Sequence, residues 1–79
     1  MPRFYFNLRD DLSADDQDGL ELARFDAARA HAEMFARDLA AEAIKREGKL
    51  VLHHRIEVTN ETGQDVLTVR FADVVTVEG

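Results

Sequence analysis

The chain has 79 residues, 46% of them apolar although 11 are alanine, and 10 basic against 16 acidic side chains leave it at −6. Leu, Ile, Val and Phe number 22, above the level at which disorder sets in, so one small globular domain over residues 1–79 is expected. The composition excludes disulfides and thiolate metal sites, because there is no cysteine. No apolar run approaches the ~18 residues of a membrane span, and the negative field opposes general binding to polyanions or anionic lipid.

Residues 3–9 alternate strictly, with Phe4, Phe6 and Leu8 on one side and Arg3, Tyr5, Asn7 and Arg9 on the other, the pattern of a half-buried strand. This start lacks a signal peptide's apolar stretch, which predicts a cytoplasmic protein. Asp10 to Asp18 is too polar to bury a face and reads as a solvated loop. Gly19 then introduces Leu20-Glu21-Leu22, the return arm of a hairpin.

From about Phe25 to Glu47 the period becomes helical, through Ala28, Ala32, Phe35, Leu39 and Ala43, with Ala36, Ala40 and Ile44 widening the stripe. Asp26 is placed to cap the start, Gly48 to end the helix in a left-handed conformation, and Lys45 and Arg46 suit its negative pole. Ile56 and Val58 mark a strand, Asn60-Glu61-Thr62-Gly63 a turn, and Leu67, Val69 and Phe71 a returning strand. After a break at Ala72-Asp73, Val74 to Val77 is expected to continue in extended form.

A single helix covers one face of a sheet. The expected fold is therefore α+β, two layers in ββαββ order, with the helix packed on one face of a mainly antiparallel sheet. Phe4, Phe6, Leu8, Leu20, Leu22, Phe35, Leu39, Ile44, Ile56, Val58, Leu67, Val69 and Phe71 are the expected core.

The stretches MPRFYFNLRD, DGLELARFDAARAHA and RIEVTNETGQDVLTVRF together resemble a family of small bacterial proteins known only as a domain of unknown function. The resemblance spans nearly the whole chain and is carried by the aromatic first strand, the Asp18-Gly19 turn before Glu21-Leu22, and the helix opening Ala27-Ala28-Arg29-Ala30. Where that family often has Pro-Asp, this chain has Ala23-Arg24, so that either Asp26 caps the helix or the helix start shifts. The resemblance implies the fold and no activity. The acidic-Gly turn before an Ala-rich helix is also loosely similar to the antitoxin half of a toxin–antitoxin system, which implies a third, regulatory role.

Chemistry is sparse. Aligning Gly19 with the sixth position of a calcium loop puts Ala14 at the first ligand position and Phe25 at the twelfth, where a bidentate Glu is needed. His53 and His54 are adjacent, and adjacent strand residues point to opposite faces, so they share a metal only if that segment leaves the extended conformation. Ser13, the only serine, has no nucleophile turn around it, and the glycines at 19, 48, 63 and 79 form no phosphate loop. Catalytic residues, cofactor-binding residues and metal ligands are all read as none, and the protein as no enzyme. A small alanine-packed domain is also expected to leave little room for a concave site of the ~300 Å³ that small ligands need.

Strand parity places Arg3, Tyr5, Arg9, Arg55 and Arg70 on the sheet face away from the helix, with Glu57 among them. Arginine beside an exposed aromatic is a combination of protein interfaces and of single-stranded nucleic-acid surfaces. The chain is accordingly read as a non-catalytic protein-interaction module, with a protein partner or a second copy of itself in a homodimer. The alternative is anion or single-stranded nucleic-acid binding through the same face, against the net charge.

Overall fold

The computed structural model describes residues 1–79. It has three strands, β1 (Arg3–Arg9), β2 (Ser13–Ala14) and β3 (Leu20–Glu21), followed by the long helix α1 (Phe25–Glu47). Two more strands, β4 (Arg55–Thr59) and β5 (Asp65–Arg70), precede a single helical turn, α2 (Phe71–Val74). The protein is α+β, with an antiparallel sheet in the order β2-β1-β4-β5 and with β3 also paired to β1. The expected ββαββ order lacks two pieces: β2, hidden in what reads as loop, and α2.

The central pairing runs Tyr5↔Thr59 to Arg9↔Arg55 between β1 and β4, and Arg55↔Arg70 to Val58↔Leu67 between β4 and β5. Thr59 then faces Asp65, which leaves Val66 as an extra residue at a bulge. No strand follows β5. Phe71 and Val74 are both buried, and a helical turn brings them to the core together, three residues apart, where a strand would send them to opposite faces. The Asp73 carboxylate accepts from the Arg70 N–H at 3.3 Å and helps start that turn.

The helix meets the sheet through Ala28, Ala32, Ala36 and Ala40, all buried and spaced by four. Their small side chains let the helix lie close, and the volume of the core comes from Phe4, Phe6, Ile56, Val58 and Val69 of the sheet and from Phe71 of α2. Phe35 and Leu39 flank the stripe half-buried, as do Leu8, Leu22 and Leu67. Leu20 and Ile44, expected in the core, are exposed at 38% and 49%. A 23-residue helix is ~34 Å long against ~24 Å for the seven residues of β1, so its last turns run past the sheet and carry Ile44 with them.

The helix starts without a side-chain cap and ends in a main-chain one. Arg24 occupies the N-cap without a side-chain hydrogen bond, and Asp26 lies inside the first turn, where its charge favours the positive pole but caps nothing. Gly48 takes φ 67° and donates its N–H to the Ile44 carbonyl at 2.9 Å. That left-handed closure is the expected one. No helix of the structure is long and apolar enough to cross a membrane.

Candidate functional site

The side chains read as an interaction face divide into two groups. Arg9, Arg55 and Arg70 stand directly across three neighbouring strands. Like charges so placed repel, and acids between them answer that repulsion. Glu57 bridges two of the arginines, with Oε1 3.0 Å from Arg9 Nε and Oε2 2.9 Å from Arg55 Nε. Asp15 lies 2.8 Å from Arg9 Nη1, and Asp73 lies 3.8 Å from Arg70 Nε. The hydrogen bond to Asp15, outweighing a little desolvation, raises the Arg9 pKa above its ordinary value, with the charges of Asp15 and Glu57 adding to it.

Arg3 and Tyr5 form the second group, with Arg3 ~20 Å along β1 from Arg9. Arg3 turns to β3, pairing with Glu21 at 2.8 Å and donating to the Asp18 carbonyl at 2.7 Å. Tyr5 is half-buried against Gly19. Each of the four arginines thus has an acidic partner within the chain, so the face is polar and close to neutral rather than cationic.

Between the groups lies a feature that sequence reasoning missed. Asn7, outward by parity, is buried. Its Nδ2 donates to the Glu57 carbonyl at 3.0 Å and to Thr59 Oγ1 at 3.2 Å, and its Oδ1 accepts from the Asp16 N–H at 3.0 Å. Asp16 in turn accepts from three main-chain N–H groups: Phe6 at 3.2 Å on Oδ2, and Asp18 and Gly19 at 3.1 Å each on Oδ1. Partial burial pushes the Asp16 carboxyl up, but the Gly19, Phe6 and Asp18 donors and the His31 ring together bring it below the usual range. The acidic stretch is therefore a solvated loop only in part. The signal was present in Asp16-Gln17-Asp18-Gly19, an Asx-type turn ahead of a glycine.

Gly19 completes this edge. It has φ 69°, and a Cβ there would lie 2.9 Å from the Phe4 carbonyl oxygen, from Arg3 Cγ and from Tyr5 Cε1. Only glycine lets the loop approach β1 so closely.

Four concave regions exceed expectation, and two of them lie against the helix. A groove of about 430 Å³ runs between the helix and the β1 edge, lined by Phe6, Leu8, Asp16, Leu20, His31 and Phe35. It exists because β2 and β3 are two residues each and leave the flank of the helix uncovered. His31 packs edge-on to Phe6 there, with ring centroids 4.5 Å apart. A second region, of about 320 Å³, lies where β1 ends, under the overrunning helix.

His53 and His54 sit beside that second region. Residues 49–54 are not in a strand, and a bend at Leu52 and His53 replaces the extended path. The condition under which the two rings can share a ligand is thereby met. The rings lie 4.8 Å apart, and their Nε2 atoms are 4.0 Å and 3.7 Å from one Asp11 carboxylate oxygen. These three residues are the ones that could hold a metal ion. Sequence alone hid the cluster, because it forms where two bends, at Asp10–Leu12 and at Leu52–His53, meet beyond the last pair Arg9↔Arg55.

The family described as Domain of unknown function (DUF6894) matches residues 3–72. No curated protein and no solved structure matches the chain.

Proposed function

The chain belongs to the DUF6894 family, and on that premise we propose that it is a non-catalytic, cytoplasmic protein-interaction module, a two-layer domain that self-associates through the free edge of β5. The carrying observation is the inequality of the two sheet edges. The outer edge of β1 is taken by β2, by β3 and, between them, by the Asp16 carboxylate on the Phe6 N–H. The outer edge of β5 has no strand beside it.

Hydrogen-bond alternation shows what that edge offers. Phe71 donates to the His54 carbonyl at 2.9 Å, so His54 and Phe71 form a bonded pair, and with them Ile56↔Val69 and Val58↔Leu67. The N–H and C=O of Thr68 then point away from β4. A second copy pairing antiparallel about Thr68 would satisfy both groups and keep Leu67 and Val69 of each copy on the helix side. The modest core supports a partner: 12 of 79 residues are buried, and four of those are alanines.

Sedimentation velocity across the micromolar range tests the reading. The wild type is expected to dimerise, and Thr68→Pro, which removes the outward N–H, to sediment as a folded monomer. A wild type that stays monomeric, or a dimer indifferent to Thr68→Pro, rejects the β5 edge. In the second case, loss of the dimer in Tyr5→Ala or Arg55→Ala would transfer the interface to the open face.

The row of Arg9, Arg55 and Arg70 favours a second reading, anion or single-stranded nucleic-acid binding by Arg3, Arg9, Arg55 and Arg70 with Tyr5 stacking on a base. The internal ion pairs weaken it. Retention on single-stranded DNA or RNA at low salt, lost steeply as salt rises, is its requirement.

A further inference from the structure

We infer that Asp11, His53 and His54 form a binding site for a divalent transition metal of the zinc class, at the end of the sheet where β1 leaves and β4 enters. The three ligand atoms, one carboxylate oxygen and two imidazole nitrogens, lie within 4.8 Å of one another. A tetrahedral zinc ion with bonds of 2.0–2.1 Å holds its ligands about 3.4 Å apart. The cluster therefore needs a modest contraction, and its two exposed members can supply it: the side chains of His53 and Asp11 are 78% and 89% accessible.

The third member is fixed. The His54 side chain is 15% exposed and packs edge-on to Phe71, with ring centroids 5.7 Å apart, and its carbonyl is tied to the Phe71 N–H. Its Nε2 is buried without a hydrogen-bond partner, the costly state for a polar atom. That atom points toward the Asp11 oxygen, yet at 3.7 Å it is beyond hydrogen-bond reach. An imidazole with its proton on Nε2 could approach Asp11 as a donor, but neither ring reaches hydrogen-bond distance. With the proton on Nδ1, both Nε2 atoms and the carboxylate oxygen face one another as electron-pair donors, a set that a central cation would join.

Local structure supports the approach. The Asp10 carboxylate accepts from the Leu12 N–H at 2.9 Å and pins the turn that presents Asp11. Asp10, Glu42 and Glu47 line the adjoining groove and outnumber its one cation, Arg46, so the field there favours cations. Two imidazoles with one carboxylate suit zinc, copper, nickel or cobalt over magnesium and calcium, which prefer oxygen alone. A bound ion would clamp the exit of β1 to the entry of β4, with a fourth position open to water.

Calorimetric titration of zinc chloride into tag-free, chelator-stripped protein tests the site, with the visible absorption of cobalt(II) as a reporter of geometry. One equivalent is expected to bind, with a rise in melting temperature that a chelator reverses. Asp11→Asn and His53→Ala change exposed side chains, so the fold is retained, and each is expected to weaken binding by at least about tenfold, since even losing an outer partner costs 10- to 100-fold. His31→Ala, distant from the cluster, is expected to bind as the wild type does. Absence of saturable uptake, equal affinity in Asp11→Asn and His53→Ala, or displacement of zinc by millimolar calcium would each overturn the assignment.

Discussion

The two edges of this sheet face the same solvent and are finished in opposite ways. Along β1 the chain doubles back twice, as β2 at Leu8–Arg9 and as β3 at Arg3–Phe4, and in the gap a side chain does the work of a strand, because the Asp16 carboxylate takes the Phe6 N–H. Along β5 the chain does nothing comparable; the Arg70 N–H alone is met, by Asp73. The carboxylate meets one N–H of the edge and is held in place by two N–H groups of its own loop, so a short loop covers the gap between the two strands. An edge without such a device is a template for another strand. The contrast is why the proposed association is placed on β5, and it confines the burden of the acidic loop to β1.

The largest expected effect belongs to the core that both edges share. Phe6→Ala should cost about 3–5 kcal/mol, as for other buried aromatics, and Tyr5→Ala distinctly less, since Tyr5 is half-buried on the other face. Thermal melts of the two monomeric variants give the order, and a Tyr5→Ala protein less stable than Phe6→Ala would reverse the assignment of faces.

Gly19→Ala comes next and acts on the closed edge alone. A left-handed backbone costs a side chain about 1–2 kcal/mol and the contact with the Phe4 carbonyl about 1–3 more, so a loss of roughly 2–5 kcal/mol is expected in urea unfolding. A loss under about 1 kcal/mol would mean that the loop does not hold β1 as described.

Asp16→Ala should cost about 1–3 kcal/mol at neutral pH, by leaving the Phe6 N–H and its neighbours without an acceptor. The sign of its pH dependence follows from the direction of the pKa shift. The folded-state value lies below the unfolded one, so the stabilisation is complete above the unfolded value near 4 and is lost as pH falls through the folded value. The stability gap between wild type and Asp16→Ala should therefore be constant from pH 7 to about 5 and narrow below about 4. A gap that persists unchanged at pH 2 would assign the effect to packing.

The smallest effect is expected on the open edge. Thr68→Lys changes an exposed side chain and should move monomer stability by no more than about 0.5 kcal/mol, while a charge on the edge strand weakens strand addition. Sedimentation should show weaker association at unchanged monomer stability. If instead the monomer is strongly destabilised, that edge is already in use within the chain.

Local pattern made several elements legible. The alternation of residues 3–9 and the period from Phe25 to Glu47 set β1 and α1 at their observed limits, and Gly48 closes the helix as read, because these features depend on neighbours within a turn or a pleat. The core was less legible. Ile44 fits the helical stripe, but whether a residue on that stripe is covered depends on how far the sheet extends beneath it, a length set by other segments. The same limit applies to the four arginines of the candidate face, whose parity was readable but whose acidic partners come from Asp15, Glu21, Glu57 and Asp73 on four separate elements or loops.

By itself, then, the sequence determined that β1, β4 and β5 extend, that α1 coils and which side of each is apolar, though not β2 or the turn of α2, since backbone geometry turns residue spacing directly into faces. Only the tertiary structure decided what meets across the sheet. Asp16 became an edge closure rather than a solvated acid because a loop closing on Gly19 brought it to Phe6. Asp11 came to face His53 and His54 because β1 and β4 are paired up to Arg9↔Arg55 and the chain bends just beyond that pair, at Asp10–Leu12 and at Leu52–His53. Both outcomes depend on contacts between residues far apart in the chain, which no local spacing encodes.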